Sequence, residues 1–173
     1  IDGVIGSANY DIGHVIGGGG GGVSFGIGIV CDNGNKGRAA SSFPAAGLLM
    51  HEFGHQFGTN HTFNDMVNGN CALPGQFNAS TAYEPGSGST IMSYQGGCSP
   101  ADVPLPGGLY FNTISLQHVG NYVTTGNGNT CPTTTPLTNN APTVSAAPVA
   151  SYTIPISTPF RLQATANDVD GNP

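Results

Sequence analysis

The chain has 173 residues, enough for one domain and part of another, and an apolar content of 38% supplies an ordinary core. Charge is scarce: three Lys+Arg stand against nine Asp+Glu, for a net charge of −6. Lys36, Arg38 and Arg161 cannot build a basic patch, which argues against nucleic acid as a partner, and no apolar run approaches about 18 residues, which argues against a membrane span.

In chain order, Tyr10 to Ile16, YDIGHVI, reads as a strand, with His14 a strand residue and not a ligand. Six glycines follow, Gly17 to Gly22, as a hairpin loop or mobile rim. Val23 to Cys31, VSFGIGIVC, is a second, β-branched strand, and Asp32 to Pro44 is a polar loop. Ala45 to Phe57, AAGLLMHEFGHQF, is the strong helix. Its Leu48, Leu49, Phe53 and Phe57 recur at helical spacing, and Gly58 closes it where the backbone turns left-handed.

His61 to Ser89 is mostly irregular, with Glu84 a loop anchor and not a catalytic group. Phe111 to Val123, FNTISLQHVGNYV, predicts a second helix with Ile114, Val119, Tyr122 and Val123 inward and His118 on its surface or in the core. Residues 132–140 form a linker. From Ala141 to Pro173 the alternating, proline-punctuated texture resembles the opening of an immunoglobulin-like or PKD-like β-sandwich. The fold class is therefore α+β. The chain starts at Ile1 and stops within the pattern Asp168 to Pro173, so both ends read as cuts.

Cys31, Cys71, Cys98 and Cys131 include no C-x-x-C pair, which argues against zinc-ribbon or thioredoxin chemistry. An even number at wide spacing suits two disulfides, in any of three connectivities, and an oxidising compartment, hence a secreted protein.

The stretch Leu49 to His61, LMHEFGHQFGTNH, carries the chemistry. Four residues apart on a helix, His51 and His55 differ by about 40° in azimuth and about 6 Å along the axis, so both reach one ion. Glu52 lies about 100° further round, awkward as a ligand but placed to hold a water. Gly58 lets the chain reverse and return His61 as a third nitrogen. Three nitrogens leave the open position of a catalytic zinc site. Zinc acidifies a water and polarises a carbonyl, and Glu52 is the general base.

H-E-x-x-H-x-x-G-x-x-H, His51 to His61, resembles the metzincin clan of zinc metallopeptidases. The resemblance implies a methionine turn beneath the metal, for which GSTIMSY supplies Met92 as an apolar floor. Thr62 stands where animal adamalysins and reprolysins have Asp, and His61-Thr62-Phe63 resembles the pappalysin-like group. Taken together, HEFGHQFGTNHTFN, YEPGSGSTIMSYQGGC and SANYDIGHV look like bacterial secreted reprolysin-like (M12B-like) peptidases over residues 1–131. Tyr94 stands where astacin-like and serralysin-like metzincins place a tyrosine that binds zinc and swings away, a core or rim residue being the alternative.

What the resemblance implies is a catalytic domain over 1–131, with a partial twisted sheet, a long zinc-binding helix, and an irregular C-terminal subdomain holding the Met-turn and a C-terminal helix. A peptide would add a strand to an exposed edge, here Tyr10, Ile12 and His14, with Gln95 to Cys98 in the pocket wall. Pairing Cys31–Cys131 resembles a link in adamalysins, and Cys71–Cys98 would brace the irregular loop against the Met-turn. Two strands before the zinc helix are fewer than the clan has, which implies an upstream segment as a partner, whether a separate chain or simply absent from this sequence. Asp168, Asp170 and Gly171 resemble a fragment of a calcium loop with too few ligands, so no Ca2+ site is assigned. The expectation is a secreted zinc endopeptidase acting on proteins or peptides. Its rival is a catalytically silent, zinc-braced adhesion module, against which the intact Glu52 argues.

Overall fold

A computed structural model describes residues 1–104, 106–146 and 151–171. The chain divides into two units, Ile1–Pro132 and Thr133–Pro173. The first runs through a helical turn α1 (Asp2–Ile5), three strands β1 (Val15–Ile16), β2 (Gly22–Ser24) and β3 (Ala39–Ser41), the helix α2 (Ala46–Gln56), strands β4 (Phe63–Asn64) and β5 (Glu84–Pro85), and the helix α3 (Thr113–Thr124). This is a mixed α+β domain of few helices and small sheets.

In the larger sheet the order is β1-β3-β2, with β1 parallel and β2 antiparallel to β3. The central strand falls in the segment expected as a loop, so three strands and not two precede α2. Its residues Ala39, Ala40 and Ser41 are too small to signal a strand, yet Ala39 and Ser41 are buried between its neighbours.

Tyr10 to His14 is not a strand, because close backbone packing replaces the ladder. Gly13 N donates to Lys36 O at 2.6 Å, and a Cβ on Gly13 would come within 2.8 Å of Gly37 Cα. The second strand stops at Ser24, and the chain then turns toward the end of α2. There Gly28 N and Ile29 N donate to the free carbonyls of His55 and Gln56, at 2.8 and 2.9 Å.

Pro44 precedes α2, and Gly58, at φ 94°, ends it. Inside the helix the most buried residues are Glu52, Gly54, His55 and Gln56, while Leu48, Leu49, Phe53 and Phe57 are half-buried. The polar face turns inward because it meets the sheet on one side and Met92 on the other. Fully buried Gln56 donates to Gly13 O at 3.0 Å and bonds His14 Nδ1 at 3.1 Å, and His14 Nε2 reaches Ser41 Oγ at 2.9 Å. That chain of polar contacts fixes the helix to β3.

Below the helix, Phe63, Cys71 and Cys98 form a small core with Phe77 and Tyr94 against it. Cysteines 71 and 98 are paired, as are Cys31 and Cys131, the latter closing a separation of 100 residues. Asn112 caps α3 by accepting from Ile114 N. Further along α3, Tyr122 donates to Val30 O at 2.7 Å and lays its ring on the bare Cα atoms of Gly28 and Gly58. In the second unit, β6 (Thr143–Ala146) pairs antiparallel with β7 (Ala164–Asn167), and Asp170 accepts from Asn140 N. Residues 147–150 and 172–173 of the segment expected to open a sandwich lie outside the described residues.

Glu84, buried at the start of β5, ties two loops together. It accepts from Thr62 Oγ1 at 2.6 Å, Thr90 Oγ1, Ser89 N at 2.7 Å and Thr90 N at 3.1 Å. Burial is the largest influence and would raise its pKa. The hydrogen bonds from Thr62, Thr90 and Ser89 together outweigh it and hold the carboxyl below its ordinary value. A carboxyl depressed in this way contributes stability above its unfolded pKa and loses it as pH falls through the folded value. Glu84→Gln should therefore cost about 2 kcal/mol at pH 7. In urea denaturation at stepped pH, its deficit against wild type should shrink as pH falls below the ordinary glutamate value of 4.5.

Candidate metal centre

Histidines 51 and 55 stand one turn apart on α2, and the reversal at Gly58 brings His61 to face them. Their Nε2 atoms converge: His61 Nε2 lies 3.2 Å from that of His51 and 3.0 Å from that of His55. Among the described residues these three form the cluster able to hold a metal ion, with ligand atoms all within 4.8 Å of one another.

Each opposite nitrogen is held by a backbone carbonyl, His51 Nδ1 by Ile91 O at 2.7 Å, His55 Nδ1 by Thr59 O at 2.9 Å and His61 Nδ1 by Gln76 O at 2.7 Å. A carbonyl only accepts, so every Nδ1 carries the proton and every Nε2 presents its lone pair inward. Burial lowers the pKa of all three. It takes His55 to about 3, with help from its two neighbours, and His61 to about 4. Neutral imidazoles crowded lone pair to lone pair are the donor set a metal ion fits.

Glu52 is buried beside this cluster, at 4% exposure, and its Oε2 finds no hydrogen-bond partner among the described residues. Burial pushes its pKa up to about 7. Gly22 of β2 covers it closely: a Cβ there would fall 2.5 Å from Glu52 Oε1. Met92 is fully buried under α2, and Thr62 N donates to its carbonyl at 3.0 Å. A Cβ on Gly54 would overlap Met92 Sδ, so the glycine inside the histidine motif is what lets the methionine lie against the helix.

Tyr94 packs its ring 4.4 Å from that of His61 and donates its hydroxyl to Gln76 Oε1. Burial, and then Glu52, raise its pKa. His14 belongs to the Gln56–Ser41 strut, and His118 sits on α3; neither joins the cluster. Tyr10 donates to Asp2 Oδ1 at 2.6 Å, and neither it nor Ile12 is in a strand.

A cleft of about 620 Å³ opens over His51 and Glu52, walled by Gly22, Leu48, Ile91, Tyr94, Gln95 and Gly107 among others. Sequence reasoning did not foresee the orienting carbonyls of Thr59, Gln76 and Ile91 or the glycine wall at 107–108. The Gly107-Gly108 pair was a visible signal of close approach. The carbonyls carried none, because any residue supplies one.

The family model described as Metallo-peptidase family M12B Reprolysin-like matches residues 1–122. No curated protein and no solved structure matches the chain.

Two outcomes are expected of this geometry. With His55 and His61 at about 3 and 4, a metal ion displaces no proton from either imidazole at neutral pH, but it draws the Glu52 carboxyl, at about 7, toward its ionised form. Affinity measured by competition with a chromogenic chelator should weaken modestly as pH falls through about 7, where Glu52 takes up its proton, and fall steeply as pH approaches 4. Gly54→Ala should lower stability to urea by about 1–3 kcal/mol by driving Met92 from its seat, and should weaken metal binding in the same chelator assay.

Proposed function

The chain belongs to the M12B reprolysin-like metallopeptidases, and on that premise we propose that it is a secreted zinc endopeptidase of the metzincin clan. The observation that carries the reading is the convergence of three neutral imidazole nitrogens beside a buried, unpartnered carboxylate oxygen in an open cleft. His51, His55 and His61 would hold the zinc. When bound, zinc polarises the scissile carbonyl and acidifies a water.

Glu52 handles the proton. Its carboxyl accepts one from the attacking water and passes it to the leaving amine nitrogen. Burial by itself raises its pKa to about 7, and a dication held beside it would lower it, favouring the carboxylate that takes the proton. Met92, held against Gly54, is the floor of the site in the manner of a Met-turn. Tyr94, with its hydroxyl on Gln76, stands at the rim, where releasing that bond would free it to support the developing oxyanion.

A peptide laid over Glu52 would run along β2 and not along Tyr10–His14. β2 pairs with β3 on one side, no described strand covers its other edge, and Gly22 stands directly over Glu52. Two disulfides fit an oxidising compartment, and the segment from Ala141 reads as the opening of an appended sandwich.

The test is metal content and casein cleavage of wild type beside Glu52→Ala. About one zinc per chain in both, with cleavage reduced by about 10²–10⁴-fold in the variant, is the expected result. Zinc in both with cleavage by neither would favour the silent, zinc-braced module, and no zinc in either would end the proposal.

A further inference from the structure

The last turn of α2 and the reversal after it carry His55 and His61, and one aromatic side chain from α3 backs both. A Cβ on Gly28 would come within 2.8 Å of Tyr122 Cε2, one on Gly58 within 3.1 Å of Cγ, and one on Gly128 within 2.7 Å of Cδ1. The ring therefore lies directly on the main chain of three separate segments. Its hydroxyl donates to Val30 O at 2.7 Å. The stretch held in this way, Gly28 to Val30, in turn serves the end of the helix, where Ile29 N donates to Gln56 O at 2.9 Å. Two N–H groups meet on the carbonyl of His55, that of Gly28 at 2.8 Å and that of Gly58 at 3.0 Å. Both belong to residues on which the Tyr122 ring rests.

Resting on the reading of the three histidines as a zinc site, we propose that Tyr122 is a positioning residue of the metal centre, which clamps the Gly58 turn and the end of α2 and so sets where His55 and His61 point. Tyr122 does not line the cleft and acts through the main chain. Gly58 directly precedes Thr59, whose carbonyl holds His55 Nδ1 at 2.9 Å, and the chain reaches His61 two residues later. A glycine has no side chain with which to anchor its own turn, so this one takes its rigidity from the ring packed on it. Ligands held in place before the ion arrives bind it more tightly, and groups outside the ligand set supply that restraint. With the ring gone, the turn loosens and His61 loses its fixed place opposite His51 and His55, while α2 keeps its own hydrogen bonds.

The experiment compares wild type with three variants. Tyr122→Leu removes ring and hydroxyl, Tyr122→Phe keeps the ring, and Gly128→Ala displaces the same ring with an added Cβ. Zinc affinity is read by competition with a chromogenic chelator, coordination by the visible spectrum of the Co2+-loaded protein, and stability by urea denaturation of the metal-free protein. Tyr122→Leu and Gly128→Ala should each weaken zinc binding by about ten-fold and alter the Co2+ bands, and Tyr122→Phe should recover affinity to within about three-fold of wild type. Either of the first two decides the matter, so the failure of one to fold leaves the other. Variants that are less stable in urea but keep wild-type affinity and Co2+ bands would reduce Tyr122 to a packing residue and overturn the assignment alone. A wild type that takes up neither zinc nor Co2+ would overturn the zinc reading and the assignment with it.

Discussion

The reversal of the chain at Gly58 is the constraint on which the first unit depends. At φ 94° a side chain is strained, and the ring of Tyr122 already fills the space where one would stand. Because the backbone turns there, His61 comes back toward the helix that carries His51 and His55. The same turn leaves the last helix carbonyls open to Gly28 N and Ile29 N. One glycine thus joins the metal cluster, the end of α2, the descending segment from the sheet, and α3.

Around that turn the unit buries polar groups in preference to a large apolar core. Among the described residues, buried polar and charged side chains outnumber buried hydrophobic ones, and the burial is tolerable only where each group is paired. Gln56, His14 and Ser41 satisfy one another between helix and sheet, and Glu84 gathers Thr62, Ser89 and Thr90 below. The exceptions are instructive. Among the described residues, Ser42 Oγ, Ser115 Oγ, Gln95 Nε2 and Glu52 Oε2 are buried without partners, and only Glu52 of these stands beside the histidine cluster. Most buried polar groups are satisfied within the scaffold, and Glu52 is left with an unmet oxygen beside the three imidazoles.

How much was legible in advance follows from where the information resides. The shared face of His51 and His55 could be read from spacing, because a helix converts a four-residue interval into one face, while the family rested on the resemblance of the longer motifs. The helix itself was placed at 45–57 and spans Ala46–Gln56. Strands fared worse. Ala39 to Ser41 has no β-branched residue and owes its conformation to two neighbours, and Tyr10 to His14 alternates like a strand but is held by glycine contacts with the 36–37 loop. Such short elements are decided by tertiary context, which a local pattern does not contain. The inward face of α2 is set by context in the same way: its leucines and phenylalanines follow helical periodicity but are half-buried, and Met92 and the sheet claim the face bearing Glu52, Gly54 and His55.

The three bonds that orient the imidazoles end on main-chain oxygens of Thr59, Gln76 and Ile91. The orienting acceptor at each of those positions does not depend on the side chain, since every amino acid brings the same carbonyl. The tautomers of the cluster are therefore inherited with the path of the backbone and not with residue identity. Distant relatives could preserve the geometry of the centre while sharing few letters around it, and a search by sequence alone would pass over the half of the site that aims the ligands.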